Sequence, residues 1–271
     1  MGEIFLEGIS FVLKMKFRFL ETGKNTAYLN MSIDEVMLDS SLPVIRFYQW
    51  EPPAISIGFS QKMKDEINLV ECKKRGIDCV RRLTGGKAVF HHKELTYSII
   101  LPSKLMPLSV IESYKVIANG ILLGFKEMGI DAIMNENIEN TKGNSICFNE
   151  PSYYEILVKG KKIVGSAQVR KKGKILQHGS ILIGVDVNLL CSLFNGCNEE
   201  IINRTRLRIT SISDTLKRDI NYKEVSDAMV KGFEKNFKCN LTPDKISEEE
   251  FVSAKKLAEE KYSKPEWSFL R

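Results

Sequence analysis

YYEILVKGKKIVGSAQVRKKGKILQHGSILI, residues 153–183, is the stretch on which the fold turns. Runs 153–158, 162–170 and 175–183 each mix β-branched and other apolar residues with polar ones, as half-buried strands do. KG at 159–160 and KKG at 171–173 supply the turns between them. The spacing therefore predicts a compact three-stranded meander. Upstream, residues 15–21, VIRFYQW at 44–50, AISIGF at 54–59, IDCVRR at 77–82 and LTYSIIL at 95–101 read as further strands. Pro52-Pro53 separates the second and third of these, which suits a hairpin or two neighbouring strands.

Helical patterns alternate with these runs. Residues 25–40 carry Ala27, Met31, Val36 and Leu38 on an imperfect apolar stripe, and residues 64–75 end at Gly76. Ile111, Tyr114, Ala118, Ile121, Leu122, Phe125 and Met128 recur at helical spacing up to Gly129. Residues 187–194 and 223–237 follow, and Ser247 with Glu250 forms a capping-box pattern opening a helix to about Tyr262. Residues 135–149 are polar and turn-rich, a loop leading to Cys147. No repeat is visible. The fold class expected is α+β, a single domain over residues 15–271 with a helical portion at about 222–271, and residues 1–14 as an extension of uncertain order.

The 271 residues are 43% hydrophobic, enough for a real core. Forty basic against 34 acidic side chains leave a net charge of +6. That mild excess fits a mixed soluble surface, or a local basic patch over residues 159–174 for an acidic partner. Six cysteines, at 72, 79, 147, 191, 197 and 239, include no CxxC pair, so a zinc signature is absent. Reduced cysteines in the cytoplasm are expected. Glu3 and Glu7 interrupt the N-terminal apolar run, which is wrong for a signal peptide, and no stretch reaches the length of a membrane span.

Three segments could carry chemistry. RRLTGGKAVFH at 81–91 has adjacent glycines whose turn could present N–H groups to an oxyanion or phosphate, or could be an ordinary hairpin. In KIVGSAQ at 162–168, strand alternation puts Lys162, Val164, Ser166 and Gln168 on one face and Ile163, Gly165 and Ala167 on the other. A lysine facing a groove could bind an acyl carbonyl or a nearby thiolate; otherwise Lys159, Lys161 and Lys162 simply solubilise a turn. Cys147 lies beside the polar loop. A lone cysteine is usually a small core residue, but a neighbouring ammonium would favour its thiolate. His178, followed by Gly179 in a strand, faces either a substrate or a structural partner. His91-His92 do not make a metal site, and no metal is assigned.

RRLTGGKAVFHHKELTYSI at 81–99, CFNEPSYYEI at 147–156 and KKIVGSAQVRKKGKILQHGSIL at 161–182 together resemble the biotin/lipoate protein ligase and lipoyl-transferase family, most of all its octanoyltransferases. The likeness runs from about Phe17 through AEEKYSKPEW at 258–267, with the motifs in family order. It implies mixed β-sheets flanked by helices and a role in cytoplasmic lipoate biosynthesis. It also implies that Cys147 is the nucleophile carrying an acyl-thioester, and that Lys162 lowers its pKa and orients the thioester. Arg82, Thr84, Gly85, Gly86, Lys87, His91, Gly165, Ser166, Ala167 and Gln168 would line the acyl pocket, with His178 and Gly179 beneath it. The octanoyl group would arrive on the phosphopantetheine of acyl carrier protein and leave on the lysine of a lipoyl-domain protein such as glycine-cleavage H protein. No bound cofactor, nucleic acid or membrane is implied. Two departures stand out: Leu83 occupies a position commonly proline, and Lys87 one commonly arginine. Other readings are an ATP-dependent lipoate–protein ligase, an octanoyl amidotransferase between lipoyl domains, and a non-catalytic carrier-binding protein.

Overall fold

The computed structural model describes residues 16–135 and 155–270. The 1–14 extension, most of the 135–149 loop and Cys147 lie outside the described residues.

The chain runs β1 (Arg18–Asn25), α1 (Ala27–Val36), β2 (Val44–Trp50), β3 (Ala54–Ile57), α2 (Met63–Glu66), α3 (Leu69–Lys74), β4 (Asp78–Arg81), β5 (Val89–His91), β6 (Glu94–Pro102) and α4 (Val110–Glu127). It continues through β7 (Ile133–Met134), β8 (Ile156–Val158), β9 (Lys161–Lys171), β10 (Lys174–Leu182), α5 (Val187–Ser192), α6 (Glu199–Arg208), α7 (Ile212–Leu216) and α8 (Tyr222–Phe237). β11 (Pro243–Asp244), α9 (Glu248–Leu257), a wide turn Ala258–Tyr262 and α10 (Pro265–Ser268) close it.

Eight strands form one mixed sheet in the order β11-β1-β2-β6-β10-β9-β8-β7, and three form a second in the order β4-β3-β5. This is the α+β arrangement of mixed sheets flanked by helices. The meander is present: β8, β9 and β10 pair antiparallel, and β10 continues the ladder onto β6. α4 and α8 cover one face of the large sheet, packing Ile117, Ile121, Phe125, Met229 and Phe233 on Phe47, Tyr97 and Ile99. A Cβ on Gly232 would sit 2.3 Å from Gly120 O, so this helix pair requires glycine at its crossing. α1, the turn after it and α9 cover part of the other face through Ile33, Met37 and Ala254 on Leu20, Val44 and Ile100. The small sheet has its own core with α2, α3, α5 and α6. Among the described residues no helix is long and apolar enough to cross a membrane.

Several expectations need correction. β2 and β3 do not pair: both edges of β2 are taken, by β1 and β6, so the chain leaves through Pro52-Pro53 to start the second sheet. The helix at 64–75 is two short helices, because Ile67 bridges to Phe194 and Asn68 caps a new start. α6, α7 and β5 had no clear periodic signal. Cys191 and Cys197 are bonded, so the reading of reduced cysteines fails for this pair; the turn after α5 brings their Cα atoms to 5.7 Å, within disulfide reach. The capping box at Ser247 and Glu250 is formed as read.

Candidate active site

A cavity of about 260 Å³ lies between the large sheet, α1 and the glycine turn after β4. Met31 of α1, Tyr48 and Trp50 of β2, and Val89 give it apolar walls. Tyr114, Ser166, Lys162 and Glu155 also line it.

Lys162 reaches this wall through a break in strand regularity. Ile156 pairs with Val164 but Leu157 with Lys162, so β9 spends one extra residue there. A bulge of this kind reverses the alternation beyond it. Lys162 consequently leaves the face of Val164 and lies over Gly165, where an added Cβ would stand 3.0 Å from Lys162 Cε. The face assignment read from strict alternation is wrong for Lys162 and for Ile163, which packs in the core with Val164 instead of lying on the face of Gly165 and Ala167, and the bulge is why. The Lys162 ammonium is buried and pairs with the buried Glu155 at 2.6 Å. Stripping water from both charges is costly unless they stay paired, so each fixes the other. Glu155, inside the quoted CFNEPSYYEI motif, was not singled out in the sequence; its place four residues before the Lys-Gly-Lys turn carries no distinguishing pattern.

The glycine turn is held from behind by Arg82. Its guanidinium donates to Gly85 O (2.7 Å), Lys87 O (2.8 Å), Ser56 O (2.9 Å), Ser56 Oγ (3.3 Å) and Thr84 Oγ1 (3.0 Å). Gly86 O packs on Gly58, where a Cβ would lie only 1.8 Å from that oxygen. Three successive carbonyls are thus turned inward. In a planar trans peptide the N–H opposes the C=O, so the N–H groups of Gly86, Lys87 and Ala88 point away from Arg82 and Gly58. Arg81, also buried, donates to Gly58 O, Phe59 O, Gln61 O, Trp267 O and Ser268 O, tying α10 to the back of the same turn.

The two histidines sit in buried polar chains. His178 Nε2 lies 2.7 Å from Thr84 Oγ1 and its Nδ1 lies 3.4 Å from Asp34 Oδ2. Asp34 accepts from Arg46 at 2.7 Å and from the Tyr48 hydroxyl at 3.1 Å. Burial pushes the Asp34 carboxyl up, but Arg46 and His178 outweigh it and hold the group below the usual aspartate range. Burial, against the pull of Asp34, holds His178 below the usual imidazole value. His91 Nε2 lies 2.8 Å from Ser56 Oγ and its Nδ1 lies 2.7 Å from Glu94 Oε1, while its ring stacks on Trp50 at 4.0 Å. Glu94 also accepts from the hydroxyls of Thr96 and Ser180.

Of the residues singled out in the sequence, Arg82, Gly86, Lys87, His91, Lys162, Gly165, Ser166, Ala167, His178 and Gly179 line the cavity. Thr84, Gly85 and Gln168 are not on its wall. Thr84 is enclosed between Arg82 and His178, and Gln168 is engaged with Ser113 and Gln177. Ser166 accepts from the Tyr97 hydroxyl at 2.7 Å. Met31, Tyr48, Trp50 and Ser56 were missed as wall residues because side chains of this kind read as ordinary core.

The Lipoyl protein ligase A/B catalytic domain model matches residues 26–234. The octanoyltransferase LipM of Geobacillus kaustophilus is 41% identical, covering 95% of this chain and 99% of that protein. That of Bacillus subtilis is 38% identical over 95% of this chain and 99% of its own length. Among solved structures, a lipoate-protein ligase A bound with ATP superposes with a TM-score of 0.80 at 26% identity, covering 94% of this chain and 99% of that one. The bipartite lipoate protein ligase of Thermoplasma acidophilum gives 0.80 at 25% identity, covering 94% and 96%. With its sheets, glycine turn and buried lysine in place, the chain belongs to the lipoyl protein ligase A/B catalytic domain family.

Proposed function

We propose that this chain is an octanoyltransferase of protein lipoylation, moving octanoyl from acyl carrier protein to a lipoyl-domain lysine by way of a thioester on Cys147. The observation that carries the reading is Lys162, a buried, ion-paired ammonium on the wall of an apolar cavity bounded by the glycine turn. About 260 Å³ is just below the usual range of ligand pockets, roughly 300–1,000 Å³, and suits one slender hydrocarbon. Each buried methylene contributes about 0.8 kcal/mol.

The Cys147 thiolate attacks the thioester carbonyl, the C–S bond to phosphopantetheine breaks, and the carrier leaves as a thiolate that takes a proton from solvent. The acceptor's ε-amine then attacks the enzyme thioester. Its C–S bond breaks, the amide forms and Cys147 is released as thiolate while the proton lost by the amine passes to solvent. Lys162 serves as the cation that favours thiolate and steadies the carbonyl. The N–H groups of Gly86, Lys87 and Ala88, turned away from Arg82 and Gly58, are candidates for oxyanion donors, each worth roughly 3–4 kcal/mol when well aimed. Glycine-cleavage H protein is the acceptor of first choice.

The likeness to a ligase A structure bound with ATP keeps an adenylate route as the second reading. One experiment separates them. The chain is mixed with octanoyl acyl carrier protein and a lipoyl-domain acceptor, without ATP, and acceptor mass is followed. Acceptor gain is expected. No gain until free octanoate and ATP are supplied would overturn the transferase reading.

A further inference from the structure

Glu94 and Asp34 are buried carboxylates that the acyl-transfer scheme does not use. Their contacts show what they do. Each ends a chain of the same composition: Asp34–His178–Thr84 and Glu94–His91–Ser56. Both chains end on one guanidinium, because Thr84 Oγ1 accepts from Arg82 Nε at 3.0 Å and Ser56 Oγ from its terminal nitrogen at 3.3 Å. An arginine only donates. Each hydroxyl keeps one proton of its own, and among the described residues the histidine Nε2 is the acceptor within reach of it, so the proton points there. The ring's Nε2 then accepts and its Nδ1 donates, toward the carboxylate.

The direction of every proton in both chains is thus set by the carboxylate at one end and the arginine at the other. Protonating either Nε2 would turn the hydroxyl proton into a buried site with no acceptor in the chain, a loss comparable to a broken buried hydrogen bond. With Arg82 held on two sides, its remaining N–H groups are aimed at Gly85 O and Lys87 O at 2.7 and 2.8 Å. Those two bonds fix which way the peptide N–H groups of the turn point.

We infer that His91 and His178, with the Ser56 and Thr84 hydroxyls, are positioning residues that orient the glycine turn through Arg82. On this account Thr84 and Ser56 raise the rate of acyl transfer without adding to the grip on either carrier protein. The inference rests on the transferase reading and adds residues to it.

The test compares Thr84→Val, which keeps shape and removes the hydroxyl, with Thr84→Ser, which keeps the hydroxyl. Ser56→Ala probes the other chain. For each, kcat and KM are measured with octanoyl acyl carrier protein as donor, alongside a thermal melt. Thr84→Val and Ser56→Ala should each lower kcat about 10- to 100-fold, the scale of a misplacement near 1 Å, with KM within about twofold. Thr84→Ser should recover to within about threefold of wild type, and the double variant should lose less than the product of the two, since both act through one guanidinium. The chain has 3 histidines, so ¹⁵N-histidine spectra are tractable. They should show Nδ1–H for His91 and His178 in the wild type and a changed His178 signal in Thr84→Val. Unchanged kcat in folded Thr84→Val and Ser56→Ala, or Nε2–H histidines in the wild type, would overturn the inference while leaving transferase activity standing. Absence of transfer by the wild type would instead remove the reading beneath it.

Discussion

The two faces of β2, β6 and β10 are built by alternate residues of the same strands, yet they differ in almost every chemical respect. Toward α4 and α8 point Ile45, Phe47, Tyr97, Ile99 and Ile181, a hydrocarbon core with stacked and edge-on aromatic rings. Toward α1 and the small sheet point Arg46, Tyr48, Thr96, Ser98, His178 and Ser180, just as thoroughly buried. The first face is stabilised by area removed from water. The second buries charge and hydroxyls, which is unfavourable unless every group is matched. A face of that kind is retained for what it holds in place, here the cavity and the turn above it. The comparison predicts that damage to the apolar face is read in stability, and damage to the polar face in rate and pH dependence.

The largest expected effect is on the apolar side. Phe233→Ala, between α4 and the sheet, should cost about 3–5 kcal/mol in urea unfolding, while the fraction still folded keeps near-normal turnover. Loss of turnover out of proportion to unfolding would break the division of labour. Next comes Gly58→Ala. Its Cβ would meet Gly86 O at 1.8 Å and displace the turn, so the melting temperature should fall and, in the fraction still folded, kcat should drop roughly 100-fold.

The polar face should also make stability pH-dependent. Asp34 is held below its unfolded value, so its contribution is complete above the ordinary aspartate range and is lost as pH falls through the folded value. His178 is held down too, which favours its neutral form in the fold. Below about pH 6.5 the unfolded chain takes up a proton that folded His178 refuses, and stability declines with falling pH. Urea midpoints between about pH 7 and 5 should therefore slope downward toward acid, and His178→Gln should flatten the slope. His92, also held down by burial, leaves part of it. An unchanged slope in the variant would show that His178 does not titrate differently in the two states. The smallest effect lies away from both faces: Ser247→Ala removes the capping box of α9 and should cost about 1 kcal/mol, visible in the melt alone.

Much of this architecture is legible in the sequence, and the failures have physical causes. The meander follows from turns at 159–160 and 171–173 between strand-like runs, and α4 from a long periodic stripe between Ser109 and Gly129. Local patterns of that kind survive any tertiary context. The pairing of β3 does not follow, because nothing local reports that both edges of β2 are occupied. Lys162 was placed on the wrong face because a one-residue bulge leaves no mark in composition. The signal for the polar face is present in the sequence as an interruption of an apolar stripe. The stripe of α1 looked imperfect because Asn30 and Asp34, one turn apart, point inward to Arg46. A broken apolar stripe on a buried helix is a reason to look for a buried cation opposite it.

The central claim is that an octanoyl chain rests covalently on Cys147 in the course of transfer. Intact-protein mass spectrometry of the chain after brief exposure to octanoyl acyl carrier protein, with no acceptor present, tests it directly. The account predicts one octanoyl adduct in the wild type, cleared on adding acceptor, and none in Cys147→Ala. An undiminished adduct in Cys147→Ala, or acceptor octanoylation at the wild-type rate by that variant, would contradict it.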